Sequence, residues 1–120
     1  MQDKDIKILN RSYHFALRVL KMVRQLPAKN DVRIISNQLL RSATSIGANV
    51  EEAIGAYSKP EFAHRMSVAL REARESHYWL RLIRDSGIVK PSRFSSVINE
   101  AEEIKKILGA IVRTSRTKKA

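Results

Sequence analysis

SKPEFAHRMSVALREARESHYWLRLIRDSG, residues 58–87, is the stretch from which the fold follows. It opens with Ser58-Lys59-Pro60-Glu61, a capping box in which the hydroxyl takes a free amide and Glu61 reaches back. Proline is tolerated there because the first turn needs no donor. Phe62, Met66, Ala69, Ala73, Ser76, Leu80 and Ile83 then recur at steps of three and four. That step is the seam of a helix packed almost parallel to its neighbours. Gly87 can adopt the left-handed conformation that closes a helix. The spacing predicts one long helix reaching about Ser86.

The same pattern extends in both directions. A first helix is predicted from Asp5 to Leu26, stopped by Pro27, with a main seam of Ile6, Leu9, Tyr13, Ala16, Leu20 and Val23. A second is predicted from Asn30 or Asp31 to about Tyr57. A fourth follows Pro91, capped by Ser92, with Phe94, Val97, Ala101, Ile104, Leu108 and Ile111 on its seam. Short connections favour antiparallel neighbours, so the expected fold is an all-α, up-down-up-down four-helix bundle over residues 1–112, with a basic tail over 113–120. Further apolar rows stand beside the seams: Phe15, Val19, Met22 and Leu26; Leu70, Trp79 and Leu82; Ile98, Ile107 and Val112. They widen the stripe for one bundle core or bury against a second copy of the chain.

Helix two carries a run of small residues, Ser42 to Ala48, which suits close backbone approach. Gln38, Ser42, Ser45, Asn49 and Glu52 form a polar line along it at steps of four and three. That line fits a solvated face, a lumen or a subunit contact.

The chain has 120 residues, enough for one core. It has no cysteine, which removes disulfides, thiolate metal sites and thiol nucleophiles. No apolar run approaches the ~20 residues of a membrane span. Met1 to Asp5 carries acids and leads into no apolar segment, so no secretory leader is expected. The expectation is a soluble, cytoplasmic protein. Lys and Arg number 23 against 12 Asp and Glu, a net charge of +11. Such a field attracts phosphate backbones.

No catalytic constellation accompanies that charge. The glycines are isolated, so there is no phosphate loop. Glu61 and His64 have the spacing of half a di-iron motif, but the second half is missing and Glu61 has a capping role. Glu51, Glu52, Glu72 and Glu75 meet no nucleophile, and Arg71 and Glu75 have ion-pair spacing on one helix. No enzyme, metal site or cofactor is expected. Helix three instead aligns Arg71, Arg74, Tyr78, Arg81 and Asp85, with Arg84 beside them. Guanidinium groups with an interleaved aromatic suit phosphate contact and base stacking. Arg113, Arg116, Lys118 and Lys119 in the tail would add phosphate contacts without reading sequence.

Arg41-Ser42-Ala43-Thr44-Ser45-Ile46-Gly47-Ala48-Asn49-Val50-Glu51-Glu52-Ala53 resembles the helix-two signature of 23S ribosomal RNA intervening-sequence proteins. Ser58 to Phe62, Met66 to Ser76 and Tyr78 to Leu82 resemble the helix after it, and the likeness covers roughly residues 8–110. Gly47 stands where many members carry proline, and Ala53 where many carry glycine. The resemblance implies a left-handed antiparallel four-helix bundle assembled as a homopentamer around a central opening. The chain resembles more weakly, mainly in charge and architecture, a related branch of the family, the retroelement accessory variability proteins, which are basic pentamers that bind a reverse transcriptase and nucleic acid. Carried onto this chain, it marks Arg41, Ser45, Asn49 and Glu52 as signature positions for intersubunit or lumen hydrogen bonds.

The leading expectation is a non-catalytic homo-oligomer that binds RNA. The alternative is a protein-interaction scaffold, for example beside a reverse transcriptase, with Trp79, Leu82 and the outer row of helix one as its docking surface. A ring without a ligand is a third.

Overall fold

A computed structural model of the chain describes residues 3–117. It contains α1 (Asp3–Val23), α2 (Asn30–Ile54), α3 (Lys59–Asp85) and α4 (Ser95–Thr117), with a single 3-10 turn at Pro91–Arg93 and no strand among the described residues. Partner pairs give the directions. Arg41 meets Glu72 while Asn49 meets Arg65, so α2 and α3 run antiparallel. Arg11 meets Glu100 while Gln25 meets Arg93, so the same holds for α1 and the α4 segment. Each helix packs on two neighbours, α1 and α3 both lying between α2 and α4. The result is an elongated bundle, 51 × 21 × 18 Å.

Local chemistry accounts for the helix ends. The Ser58 hydroxyl accepts from the Glu61 amide at 3.2 Å, the hydroxyl half of the predicted box. Gly87, at φ +79°, closes α3 in the left-handed region as the sequence predicts. Past Val23, Arg24 still bonds Leu20 at 3.3 Å, and the following amides then tighten, Gln25 to Met22 at 3.0 Å and Leu26 to Val23 at 3.2 Å, ahead of Pro27. α2 ends at Ile54, short of the expected Tyr57. Ser92 lies within the 3-10 turn and does not cap α4, which begins at Ser95. α4 continues to Thr117, so the boundary expected after Val112 falls inside a helix. Arg113 and Arg116 stand on that helix; Lys118 and Lys119 lie outside the described residues.

The α4 seam is as predicted, and so is the α3 seam from Met66 onward: Met66, Ala69, Ala73, Ser76, Leu80 and Ile83 share one core with Phe94, Val97, Ala101, Ile104, Leu108 and Ile111, while Phe62 at its head is half-buried. α1 is rotated from expectation. Its core face is Ile8, Ser12, Phe15 and Val19, while Ile6 and Tyr13 of the predicted main seam are 42% and 60% exposed. The Ser12 hydroxyl is satisfied by the Leu9 carbonyl at 3.1 Å, which lets a polar residue occupy a core position. Ser42 likewise leaves the expected polar line. It is fully buried and shares a hydrogen bond of 2.8 Å with Ser76 across the α2–α3 interface.

Two glycines give opposite expectations. Gly87→Ala places a Cβ in open space at positive φ, so the cost is backbone strain, about 1 kcal/mol. Gly109→Ala lies within α4 with nothing near the new Cβ and should stabilise by about 0.5–1 kcal/mol. Denaturant midpoints of the two variants should move in opposite directions.

Candidate nucleic-acid interface

Arg71, Arg74, Tyr78 and Arg81 all lie on the solvent side of α3, since the opposite side is committed to the core. The Arg81 guanidinium carbon sits 6.0 Å from the Tyr78 ring centroid, and Tyr78 meets Trp79 edge-on at 5.0 Å. The expected Arg71–Glu75 pair does not form. Glu75 and Glu72 both turn to Arg41 of α2, at 3.4 Å for Glu72 and in a shorter contact for Glu75. Hydrogen bonding to Glu75 raises the Arg41 pKa further. With both glutamates turned to Arg41 and Asp85 bound by Arg84, Arg71, Arg74 and Arg81 have no ion pair among the described residues.

Arg84 is the exception in the row. Its Nε donates to Asp85 Oδ1 at 2.8 Å and its Nη2 to Oδ2 at 3.3 Å. That bidentate bond holds the Asp85 carboxyl below its ordinary range. Arg84 is therefore largely occupied. On the flank toward α4, His77 Nε2 lies 3.3 Å from Glu102. Burial pushes the His77 imidazole below its usual value, and Lys105 adds to the effect more strongly than Glu102 opposes it. The imidazole is thus held neutral at neutral pH. Lys105 and Lys106 pair with Glu102 and Glu103 at 3.3 and 3.7 Å. Arg113 and Arg116 are exposed on the last turns of α4.

Three of the four signature residues have partners within this one chain. Arg41 bridges to α3 as described. Asn49 donates to the Ser45 carbonyl at 2.8 Å and to its hydroxyl at 3.2 Å, and accepts from Arg65 at 3.5 Å. Arg41 and Asn49 accordingly take part in the contact that holds α2 on α3, and Ser45 supports Asn49 from within α2. Glu52 is exposed. Trp79 packs toward the core with its Nε1 buried, and Phe15 and Val19 of the outer α1 row are core residues, so of the expected docking surface Leu82 is the part that stands exposed, at 39%.

On the other flank, Tyr13, Ala16, Thr44, Gly47 and Glu51 line an open groove of about 490 Å³ between α1 and α2. Exposed Ile6 and Leu17 continue its apolar character along α1. Sequence reasoning missed a second basic region, where Arg18 and Lys21 of α1 meet Arg93 of the 3-10 turn. The only sequence signal was the absence of acids from residues 6–30 and 86–99, two segments that only the fold brings together.

No helix among the described residues is long and apolar enough to cross a membrane. No curated protein matches the chain. A crystal structure at 1.70 Å resolution of a protein of unknown function from the S23 ribosomal protein family of Bacteroides thetaiotaomicron VPI-5482 is similar to it. The TM-score is 0.85 and the sequence identity 35%, over 92% of this chain and 98% of that one. The family model for the 23S rRNA-intervening sequence protein matches residues 4–110, nearly the whole bundle, and the chain belongs to that family.

Proposed function

We propose that the protein is a non-catalytic, cytoplasmic RNA-binding homo-oligomer, pentameric as the family resemblance implies. One observation carries the reading. Arg41 engages Glu72 and Glu75 while Arg84 binds Asp85, which leaves Arg71, Arg74 and Arg81 exposed and without a direct ion pair beside an exposed tyrosine. Unpaired guanidinium groups take phosphate oxygens, and Tyr78 offers a stacking face. The exposed apolar strip Ile6, Tyr13 and Leu17, next to the small residues Thr44, Gly47 and Ala48, supports contact between copies. Several copies would multiply a weak phosphate-binding face by effective concentration. Recognition is electrostatic and shape-based.

Charge reversal at all three positions, R71E/R74E/R81E, is expected to abolish RNA binding at moderate salt and to leave the oligomer mass unchanged. Wild-type affinity in that variant would overturn the site assignment. The same apolar strip, with Leu82, supports a second reading, a scaffold that docks a protein such as a reverse transcriptase. Capture of that enzyme by the chain, with no RNA affinity of its own, would favour it.

A further inference from the structure

One end of the bundle gathers the close of α1, the start of α2, the close of α3 and the 3-10 turn before α4. Residues 18–33 and 81–93, which form it, hold nine Lys or Arg against two Asp. Both acids are locally engaged, Asp85 by Arg84 and Asp31 by the Val32 amide at 2.8 Å. At this end a recess of about 210 Å³ opens between α1 and the segment leading into α4. Its floor includes Met22, Leu26 and Val97, and its rim includes Arg18, Lys21 and Arg93. No acid lines it. Gln25 accepts from Arg93 Nη2 at 3.0 Å, which holds the guanidinium at the rim while leaving its other donors available.

An apolar floor of this size suits a flat ring, and three cations around it suit negative charge on either side of that ring. A nucleotide within a single strand combines both, and an unstacked base laid on a guanidinium plane is a common mode of RNA recognition. Arg81 places the α3 row at the same end of the molecule, so one strand can engage both. We propose that this recess holds one unstacked base of a bound single-stranded RNA, with Arg18, Lys21 and Arg93 on the flanking phosphates. The proposal rests on the RNA-binding reading above and adds a base-holding recess to the Tyr78 stacking face.

The test compares a short oligouridylate with an abasic strand of equal length and charge, on the full chain. The base-bearing strand should bind about tenfold more tightly. With Tyr78→Ala present in both proteins, so that the α3 stacking face drops out, R18A/R93A should bring that ratio to near one. In R71A/R74A/R81A both affinities should drop with the ratio kept. Equal binding of the two strands by wild type would overturn the recess while leaving RNA binding standing, whereas binding of neither would overturn both. A ratio that survives R18A/R93A in the Tyr78→Ala background would place base contact elsewhere and overturn the proposal. Uridine monophosphate should not compete at strand-saturating concentrations; competition as effective as the strand's would make a free nucleotide the occupant, against the proposal.

Discussion

A chain with glutamate at both Tyr13 and Leu17 is expected to scatter as a 13.7 kDa monomer and to bind RNA about 10²–10⁴-fold more weakly than wild type. These side chains are 60% and 38% exposed in the single chain, so their replacement removes little from the core. Helix content should stay unchanged. The loss arises between copies, where two carboxylates would have to leave water against an apolar strip, at several kcal/mol each unless paired. Glu51 and Glu52 at the groove add repulsion to any new acid placed beside them. The affinity loss then follows without a phosphate contact being touched, because each monomer keeps its α3 row but loses the effective concentration of its neighbours. A variant that retains the wild-type mass would move the subunit contact to another face.

Phe94→Ala carries the largest expected cost to the fold, about 3–5 kcal/mol. The ring is 1% exposed and belongs to the central cluster. It also stands where the 3-10 turn passes into α4: its amide bonds the Pro91 carbonyl at 3.0 Å, and its carbonyl accepts the Ile98 amide at 2.9 Å. Truncation opens a cavity at the point that sets the register of the last helix. Against a typical total of about 5–15 kcal/mol this is a large fraction. Melting temperature should fall by about 10–20 °C. The comparison belongs at matched protein concentration, since assembly stabilises the folded chain by mass action. Phe94→Leu, which refills part of the space, should recover most of the difference. A drop below ~1 kcal/mol for Phe94→Ala would mean the site collapses around the missing ring.

Much of the bundle was legible because α3 and α4 each offer one dominant apolar row. α1 offers two rows of similar strength, and periodicity alone cannot rank them. The correct one includes Ser12, which a hydrophobicity count scores as polar although the Leu9 carbonyl satisfies it. The row that counting favoured, with Ile6 and Tyr13, is the one the fold leaves exposed. Ser42 was misplaced for a related reason, its polarity being absorbed by a buried partner on another helix, Ser76.

The candidate site was legible as a row of arginines on α3, but its electrostatics were not. Spacing along one helix suggested that Glu75 neutralises Arg71. The competing partner, Arg41, is 34 residues away from Glu75 in sequence and adjacent only after α2 packs on α3. The basic end was invisible for the same reason, since Lys21 and Arg93 come together only through the antiparallel return of the chain. Arg84 shows the reverse error, being counted with the row although its immediate neighbour Asp85 binds it.

The most direct test of the central claim is RNA affinity across a salt series, on protein freed of co-purified nucleic acid, with scattering to report the mass of the bound species. Three free arginines per α3 face predict a linear fall of log K with log salt, with a slope of about −2 for each face engaged on a single strand. The particle should be several times heavier than 13.7 kDa. Absence of binding at low salt, or affinity that does not change with salt, would contradict the claim that this charge exists to hold phosphate.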